Sequence, residues 1–124
     1  MPFTTVTANK LIDKLLRNTD FVHPTSLYVS LHTADPAQSG TNEVTGGSYV
    51  RKAVTFTAGA LKASANSGDV EFTSMPTVTV THIGLWSAST GGDFWWGGSL
   101  TVPKSLTAGD TLKIPTGDLT VTLT

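Results

Sequence analysis

Few side chains in this chain could do acid–base or metal chemistry, and they are spread along its 124 residues. The histidines are His23, His32 and His82, and none stands at a paired metal-binding spacing such as His-x-x-x-His. His32 and Asp35 could be drawn as an acid–base pair, but Asp followed by Pro at a strand exit is typical of a turn. His82 lies among apolar strand residues, which favours a hydrogen-bonded structural role. We therefore expect no metal site and no cofactor site.

The carboxylates beyond the N-terminal segment mostly stand beside glycine, proline or a strand edge, as turn residues do. They are Asp35, Glu43, Asp69, Glu71, Asp93, Asp110 and Asp118. A glycosidase needs two carboxyl groups held at a defined separation across a cleft, and this spacing indicates no such pair. The sequence also lacks a nucleophile elbow, a phosphate loop and a dinucleotide-binding glycine motif. The chain is therefore predicted not to be an enzyme.

The tryptophans, Trp86, Trp95 and Trp96, are the other chemically notable side chains. Adjacent residues of a strand point to opposite faces, so Trp95 and Trp96 cannot both enter the same core. Either the chain covers the second ring with its N-terminal helix or a long loop, or that ring anchors a subunit interface, where Trp is enriched. Tryptophans also stack on sugar rings, so a carbohydrate-binding module is a further alternative.

Other residues carry the same ambiguity between an internal and an intermolecular contact. Arg51 could pair with Glu43 or Asp69 within the chain, or it could reach carbonyls or carboxylates of a neighbouring molecule. Leucines of the N-terminal helix could cover the core or pack on a neighbouring subunit. The interface candidates are Trp95, Trp96, Arg51, Tyr49, Leu11 and Leu15.

Composition limits the classes of partner. The net charge of -1 and the 14% of charged residues give no basic face for nucleic acid. No apolar stretch reaches the roughly 20 residues that cross a bilayer, and we expect no membrane partner. The absence of cysteine is compatible with folding in a reducing cytoplasm. With few charged residues, strand edges have few side chains that prevent pairing with strands of other molecules. This suggests that other chains cover these edges.

Threonine alternates with Val or Leu in several segments, for example residues 78–81 and 119–123. β-Branched side chains at every second position are typical of strands with one wet and one dry face. Short apolar segments of this kind recur between turns at residues 27–32, 49–56, 69–72, 78–85, 94–100, 111–114 and 119–123. We predict a mainly β single domain over residues 1–124, an antiparallel β-sandwich or jelly roll of about eight strands.

Two segments depart from the strand pattern. Ala8, Leu11, Ile12, Leu15 and Leu16 recur at the spacing of one helical face, and a short helix is predicted over residues 7–18. Thr7 is the expected N-cap and Asn18 the left-handed closing residue. Residues 33–48 show no strand signal, and a connection of that length is usually functional or makes contacts.

Several blocks of the sequence together are similar to a family of small tailed-bacteriophage virion proteins, often labelled tail-fibre-like. They are residues 27–36 (LYVSLHTADP), 46–51 (GGSYVR), 82–86 (HIGLW) with 91–92 (GG), 106–112 (LTAGDTL) and 117–121 (GDLTV). The resemblance spans nearly the whole chain, although Ser87 stands where relatives often have Asp after the Trp. It implies a structural component of a phage particle, located in the virion and made in the host bacterial cytoplasm, with no catalytic residues.

Two places in the particle are compatible with this resemblance. A fibre shaft needs heptads, collagen-like triplets or repeated β modules, whereas this chain is one non-repeating unit. We therefore expect a capsid decoration or cement protein that stabilises the head, and a tail or fibre-associated adaptor is the alternative. The expected partners are sister copies, as a homotrimer, and the major capsid protein or another virion protein.

Overall fold

The computed structural model describes residues 3–123 and consists of one helix followed by eight strands in antiparallel pairings. The elements are α1 (Thr5–Arg17), β1 (Leu27–His32), β2 (Lys52–Val54), β3 (Ala63–Ala65), β4 (Val70–Phe72), β5 (Val78–Trp86), β6 (Phe94–Leu106), β7 (Leu112–Ile114) and β8 (Thr120–Thr122). The prediction of a mainly β chain of about eight strands with a short N-terminal helix is confirmed.

Helix α1 begins two residues earlier than predicted, because Thr4 and not Thr7 is the N-cap. The Thr4 hydroxyl donates to the carbonyl oxygen of Phe94 at 3.0 Å, and its N–H donates to that of Trp95 at 3.0 Å. These bonds attach the helix start to β6. The helix ends as expected at Asn18, which has φ 52° and closes the last turn in the left-handed region. Within residues 3–123, no helix is long and apolar enough to span a membrane.

Four strands form the main sheet in the order β2-β1-β5-β6. One face of this sheet carries Val29, Leu31, Ile83, Leu85 and Trp96, all buried. The opposing layer is split into two ribbons, β4 paired with β7 and β3 paired with β8. Apolar residues of these ribbons and of the segment before β8 complete the core: Val70, Phe72, Leu112, Ile114 and Leu119.

The strand bounds differ from the prediction where turn chemistry is unusual. Residues 58–68 lie between two of the predicted strand segments, yet they contain β3, reached through a tight turn at Leu61 and Lys62. These two residues have φ values of 51° and 66°, a conformation that Asn and Gly adopt more readily, so the sequence gives no turn signal. Strand β6 also continues past Leu100 to Leu106 through an irregularity in its pairing with β5.

The second face of the main sheet is covered by the long loop that follows β1. A Cβ on Gly40, which has φ +74°, would lie 2.3 Å from the Trp86 ring and 3.0 Å from Phe94, so the loop backbone packs directly on these aromatics. Pro36 is fully buried in the same loop. The loop therefore packs on this face of the sheet within the same chain, a contact-making role that its length had suggested.

Candidate functional site

Trp95 and Trp96 are adjacent in β6 but have different surroundings. Trp96 pairs with Leu85 and belongs to the core, while Trp95 stands at a bulge in the pairing of β5 and β6. Phe21 and His23, from the segment after α1, pack edge-on against Trp95 at centroid distances of 6.1 and 5.5 Å. Only 7% of Trp95 and 6% of Trp96 are exposed. In the single chain, neither ring is therefore an exposed interface anchor.

The three indole N–H groups differ in their hydrogen bonding. Trp86 donates to the Ser30 hydroxyl at 2.9 Å. Among the described residues, the buried Nε1 atoms of Trp95 and Trp96 have no hydrogen-bond partner. An unpaired buried donor carries a desolvation cost, and such a group in a native protein calls for an explanation.

Each unpaired indole lies beside a cavity. Trp96 lines a groove of about 410 Å³ between the main sheet and the ribbons. Trp95 lines a pocket of about 430 Å³ that we call the Trp95 pocket. Its lining also includes Lys10, Phe21, Pro24, Ser87 and Asp93. These residues are far apart in sequence, and no pattern in the chain signals their convergence.

Arg51 makes its contacts within the chain. Its Nε and Nη2 donate to the two carboxylate oxygens of Glu43, each at 2.9 Å, and its Nη1 donates to the carbonyl oxygens of Ala88 and Gly91. The guanidinium also stacks on Trp86. Of the partners that the sequence left open, Arg51 contacts Glu43, and this pair ties the long loop to the turn between β5 and β6. Four of the five guanidinium N–H groups of Arg51 are thus bonded within the chain.

Tyr49 is part of the same cluster. Its hydroxyl donates to Glu43 Oε2 at 2.7 Å and accepts from the N–H of Leu31 at 3.0 Å, and its ring stacks on Phe72. Burial and the hydrogen bond to Glu43 raise the pKa of Tyr49. Burial alone would raise the pKa of Glu43, but the hydrogen bonds from Arg51 and Tyr49 outweigh it and the pKa is lowered. The arrangement holds an ionised carboxylate in place beside a pocket of about 430 Å³ that Glu43, Tyr49 and Arg51 line together with the turn between β5 and β6.

His32 is fully buried and bonded at both ring nitrogens. Nδ1 lies 2.8 Å from the carbonyl oxygen of Thr41, and Nε2 lies 2.6 Å from the Ser30 hydroxyl. Since the carbonyl can only accept, Nδ1 carries the proton and Nε2 accepts from Ser30. Asp35 does not pair with His32; it accepts from the N–H of Ala37, as a turn residue does. A Ser–His contact buried in this way is inaccessible to a substrate.

The other titratable groups do not form a metal centre. His82 lies within β5, with Nδ1 2.8 Å from the Thr81 hydroxyl. Asp69 accepts from the N–H and the hydroxyl of Thr116, which with Lys113 lower its pKa. Within residues 3–123, no group of three or more His, Cys, Asp or Glu side chains is arranged to hold a metal ion.

The clearest exposed apolar surface is on the C-terminal half of α1. Leu11 is half-buried on the sheet, but Ile12, Leu15 and Leu16 are 52%, 75% and 79% exposed. They are spaced i, i+3 and i+4 on the helix, so they form one stripe. We call this stripe the α1 face. Of the six interface candidates, Leu15 is the one that the fold leaves largely exposed.

Charged side chains around the α1 face are paired within the chain. Lys14 bonds to Asp20, Arg17 lies 3.5 Å from Asp13, and Lys10 lies 3.8 Å from Asp93. The surface around the stripe therefore presents balanced charge. This feature was only partly visible in the sequence, because Asp20 and Asp93 are brought to the helix by the fold.

Comparison with known proteins places the chain in a family. No curated protein matches the sequence. A family model described as "Podophage GP4 fiber I protein gp80" matches residues 2–122, nearly the entire chain. The tail-fibre-like resemblance predicted from the sequence blocks is thereby confirmed. The chain belongs to the Podophage GP4 fiber I protein gp80 family of phage fibre proteins, which are structural components of the virion.

Proposed function

We propose that this protein is a structural subunit of a tailed-phage fibre and acts by binding, without turnover. The observation that carries the proposal is the family match over residues 2–122, since the family is described as a fibre protein. It favours the fibre-associated alternative over the capsid decoration role expected from the sequence. The structure agrees with a binding role, because the Ser30–His32 contact is fully buried and the Arg51 side chain is bonded to Glu43 within the chain.

We also propose that copies of the chain associate through the α1 face. A stripe of three apolar side chains, each more than half exposed, is unusual unless something covers it. The neighbouring cations already have acidic partners, so an acidic protein or an anionic membrane finds no free positive charge there. A second copy presents the same neutral, apolar stripe and is therefore the complementary occupant.

Immunogold labelling of intact particles tests the location. Antibodies against this protein are expected to mark the fibres, and labelling of the head surface alone would restore the capsid decoration role. Labelling of neither part of the particle would exclude both structural assignments.

Sedimentation equilibrium of the purified protein tests the association. We expect an oligomer at micromolar concentration. Its measured mass will show whether it is the homotrimer predicted from the sequence. The double variant L15D/L16D should sediment as a monomer that keeps the circular dichroism spectrum of the folded wild type. L61D is the matched control, because Leu61 is 98% exposed but lies outside the α1 face. A monomeric wild type, or an oligomer that survives L15D/L16D, would exclude this interface.

A further inference from the structure

Strand β6 is an edge of the main sheet, and the part of it after Trp96 is open on its outer side. Before that point the N-terminal segment covers the edge, since Phe3 forms a β-bridge with Trp96 and the N–H of Thr4 donates to the carbonyl oxygen of Trp95. Along residues 97–106, no other segment within residues 3–123 pairs with the outer side of the strand. An uncovered edge presents backbone N–H and C=O groups to a further strand.

A bulge in β6 leaves more of its backbone unused. The pairing with β5 passes from Val80 and Lys104 directly to His82 and Ser99. Residues 100–103 of β6 therefore have no register partner in β5. The last of these four is a proline and has no N–H, but the backbone groups of the other three are available to a strand that approaches from outside.

The same stretch of β6 borders the groove of about 410 Å³ that Trp96 lines, which we call the β6 groove. Strand β7 and the segment before β8 form its opposite wall, and in the described part of the chain β7 pairs with β4 alone. The floor is apolar and comes from both layers of the fold: Leu31, Ile83, Trp96, Leu112, Ile114 and Leu119. Strand edges beside an apolar floor suit β-strand addition, in which main-chain bonds hold a peptide and pockets receive its alternate side chains.

Charge on the groove indicates the kind of strand that fits. Lys104 lines the groove and forms no ion pair with any residue in the 3–123 range. Lys113, on the opposite wall, already lies 3.3 Å from Asp69. Asp118 also lines that wall and pairs with neither lysine within the same range. An acidic side chain on the incoming strand therefore finds its partner in Lys104.

A second copy of this chain does not suit the groove. Two β6 edges that paired with each other would bring two copies of Pro103 and of Lys104 into one short ladder. Proline and lysine are the residues that discourage such edge-to-edge pairing. Val102, which is 61% exposed, and the half-buried Leu100 nevertheless keep the edge apolar enough to bind a strand of different sequence.

We propose that the β6 groove receives an extended strand of another virion protein, with apolar residues at alternate positions and an acidic residue beside Lys104. The strand pairs with the outer side of β6 at residues 100–102 and places alternate side chains on the apolar floor. The inference rests on the protein being a structural component of the fibre. It adds a contact to a different protein, apart from the association of copies through the α1 face.

Photo-crosslinking in assembled particles tests the proposal. A benzoylphenylalanine is placed at Val102, which lines the groove, or at Leu61, which is 98% exposed and lies outside it. After irradiation of purified particles, mass spectrometry identifies the crosslinked residues. We expect crosslinks from Val102 to one segment of another virion protein that has alternating apolar residues and an acidic residue, and none from Leu61 to that segment. Crosslinks from Val102 to sister copies only, or none in intact particles, overturn the proposal.

Charge reversal at Lys104 tests the acidic contact. K104E should lower the yield of the Val102 crosslink about threefold or more, because the acidic residue then meets a like charge. K62E is the matched control, since Lys62 is exposed and does not line the groove. Circular dichroism of both purified variants checks their folding. Equal yields in K104E and K62E would also overturn the proposal. The crosslink is read wherever the protein lies in the particle, so its failure is distinct from a failure of the fibre location in the immunogold test.

Discussion

The guanidinium carbon of Arg51 lies 3.7 Å from the centroid of the Trp86 ring. The same group makes a two-pronged pair with Glu43, whose side chain is 22% exposed, while that of Arg51 is 9% exposed. One side chain thus joins the long loop after β1 to the aromatic cluster on the main sheet. Such a geometry uses the planar fork of arginine, which lysine lacks.

Replacing Arg51 by lysine should therefore be costly although the charge is retained. We expect R51K to lower the free energy of unfolding by about 2–3 kcal/mol, because Glu43 loses its bidentate partner in a partly buried site. Urea denaturation followed by tryptophan fluorescence measures the change. R17K is the control, since Arg17 is 71% exposed and its pair with Asp13 contributes little. Equal stability of R51K and R17K would show that the fork is unimportant.

The close approach of Gly40 to Trp86 leads to a second prediction. G40A combines left-handed strain with a Cβ 2.3 Å from the Trp86 ring. G91A has a similar positive φ, +64°, but nothing within 4 Å of the added Cβ. We expect G91A to cost about 1 kcal/mol from strain alone and G40A at least about 2 kcal/mol more, because the ring must move. A shift of the Trp86 fluorescence should accompany G40A; equal losses in both variants would mean that the loop adjusts freely.

The turn at Leu61 and Lys62 can be improved. Ala60 and Ala63 exchange two backbone hydrogen bonds around it, and both central residues have positive φ. Asn-Gly is the preferred pair for such a two-residue turn. We expect the double substitution L61N/K62G to raise the free energy of unfolding by about 1 kcal/mol. A loss of stability instead would show that Leu61, despite its exposure, supports the hairpin.

Alternation and helical spacing sufficed to predict β1, β5, β7 and α1, although of β1, β7 and α1 only β7 buries alternate residues as the pattern implies. β1 is buried on both faces at its end, and α1 leaves Ile12, Leu15 and Leu16 exposed. The residues that pack against Trp95 could not be predicted, because Phe21 and His23 belong to a segment with no periodic pattern. The covering loop was visible only as an absence of strand signal, whereas its contact on Trp86 depends on the left-handed backbone of Gly40. The Trp95 pocket joins residues from three distant parts of the chain, which no local pattern encodes.

His32 gives the fold a dependence on pH near neutrality. Burial lowers its pKa below the ordinary 6.5, an effect that outweighs the hydrogen bond to Thr41 and the charge of Glu43, while Arg51 and His82 lower it further. The folded state thus binds fewer protons than the unfolded state below pH 6.5. The contribution of His32 to the free energy of unfolding is complete above pH 6.5. It is lost as the pH falls through the lowered pKa, by at most about 1.4 kcal/mol per pH unit.

Urea denaturation between about pH 7.5 and pH 5.5 measures this loss, within the window in which an ordinary histidine titrates. The wild type should lose stability across it, whereas H32N should be less stable at the upper pH but nearly independent of pH. H23N, at an exposed histidine, should keep the wild-type slope. Glu43 does not interfere, because its lowered pKa places the loss of its contribution below 4.5. A slope in H32N equal to that of the wild type would assign the pH dependence to another group.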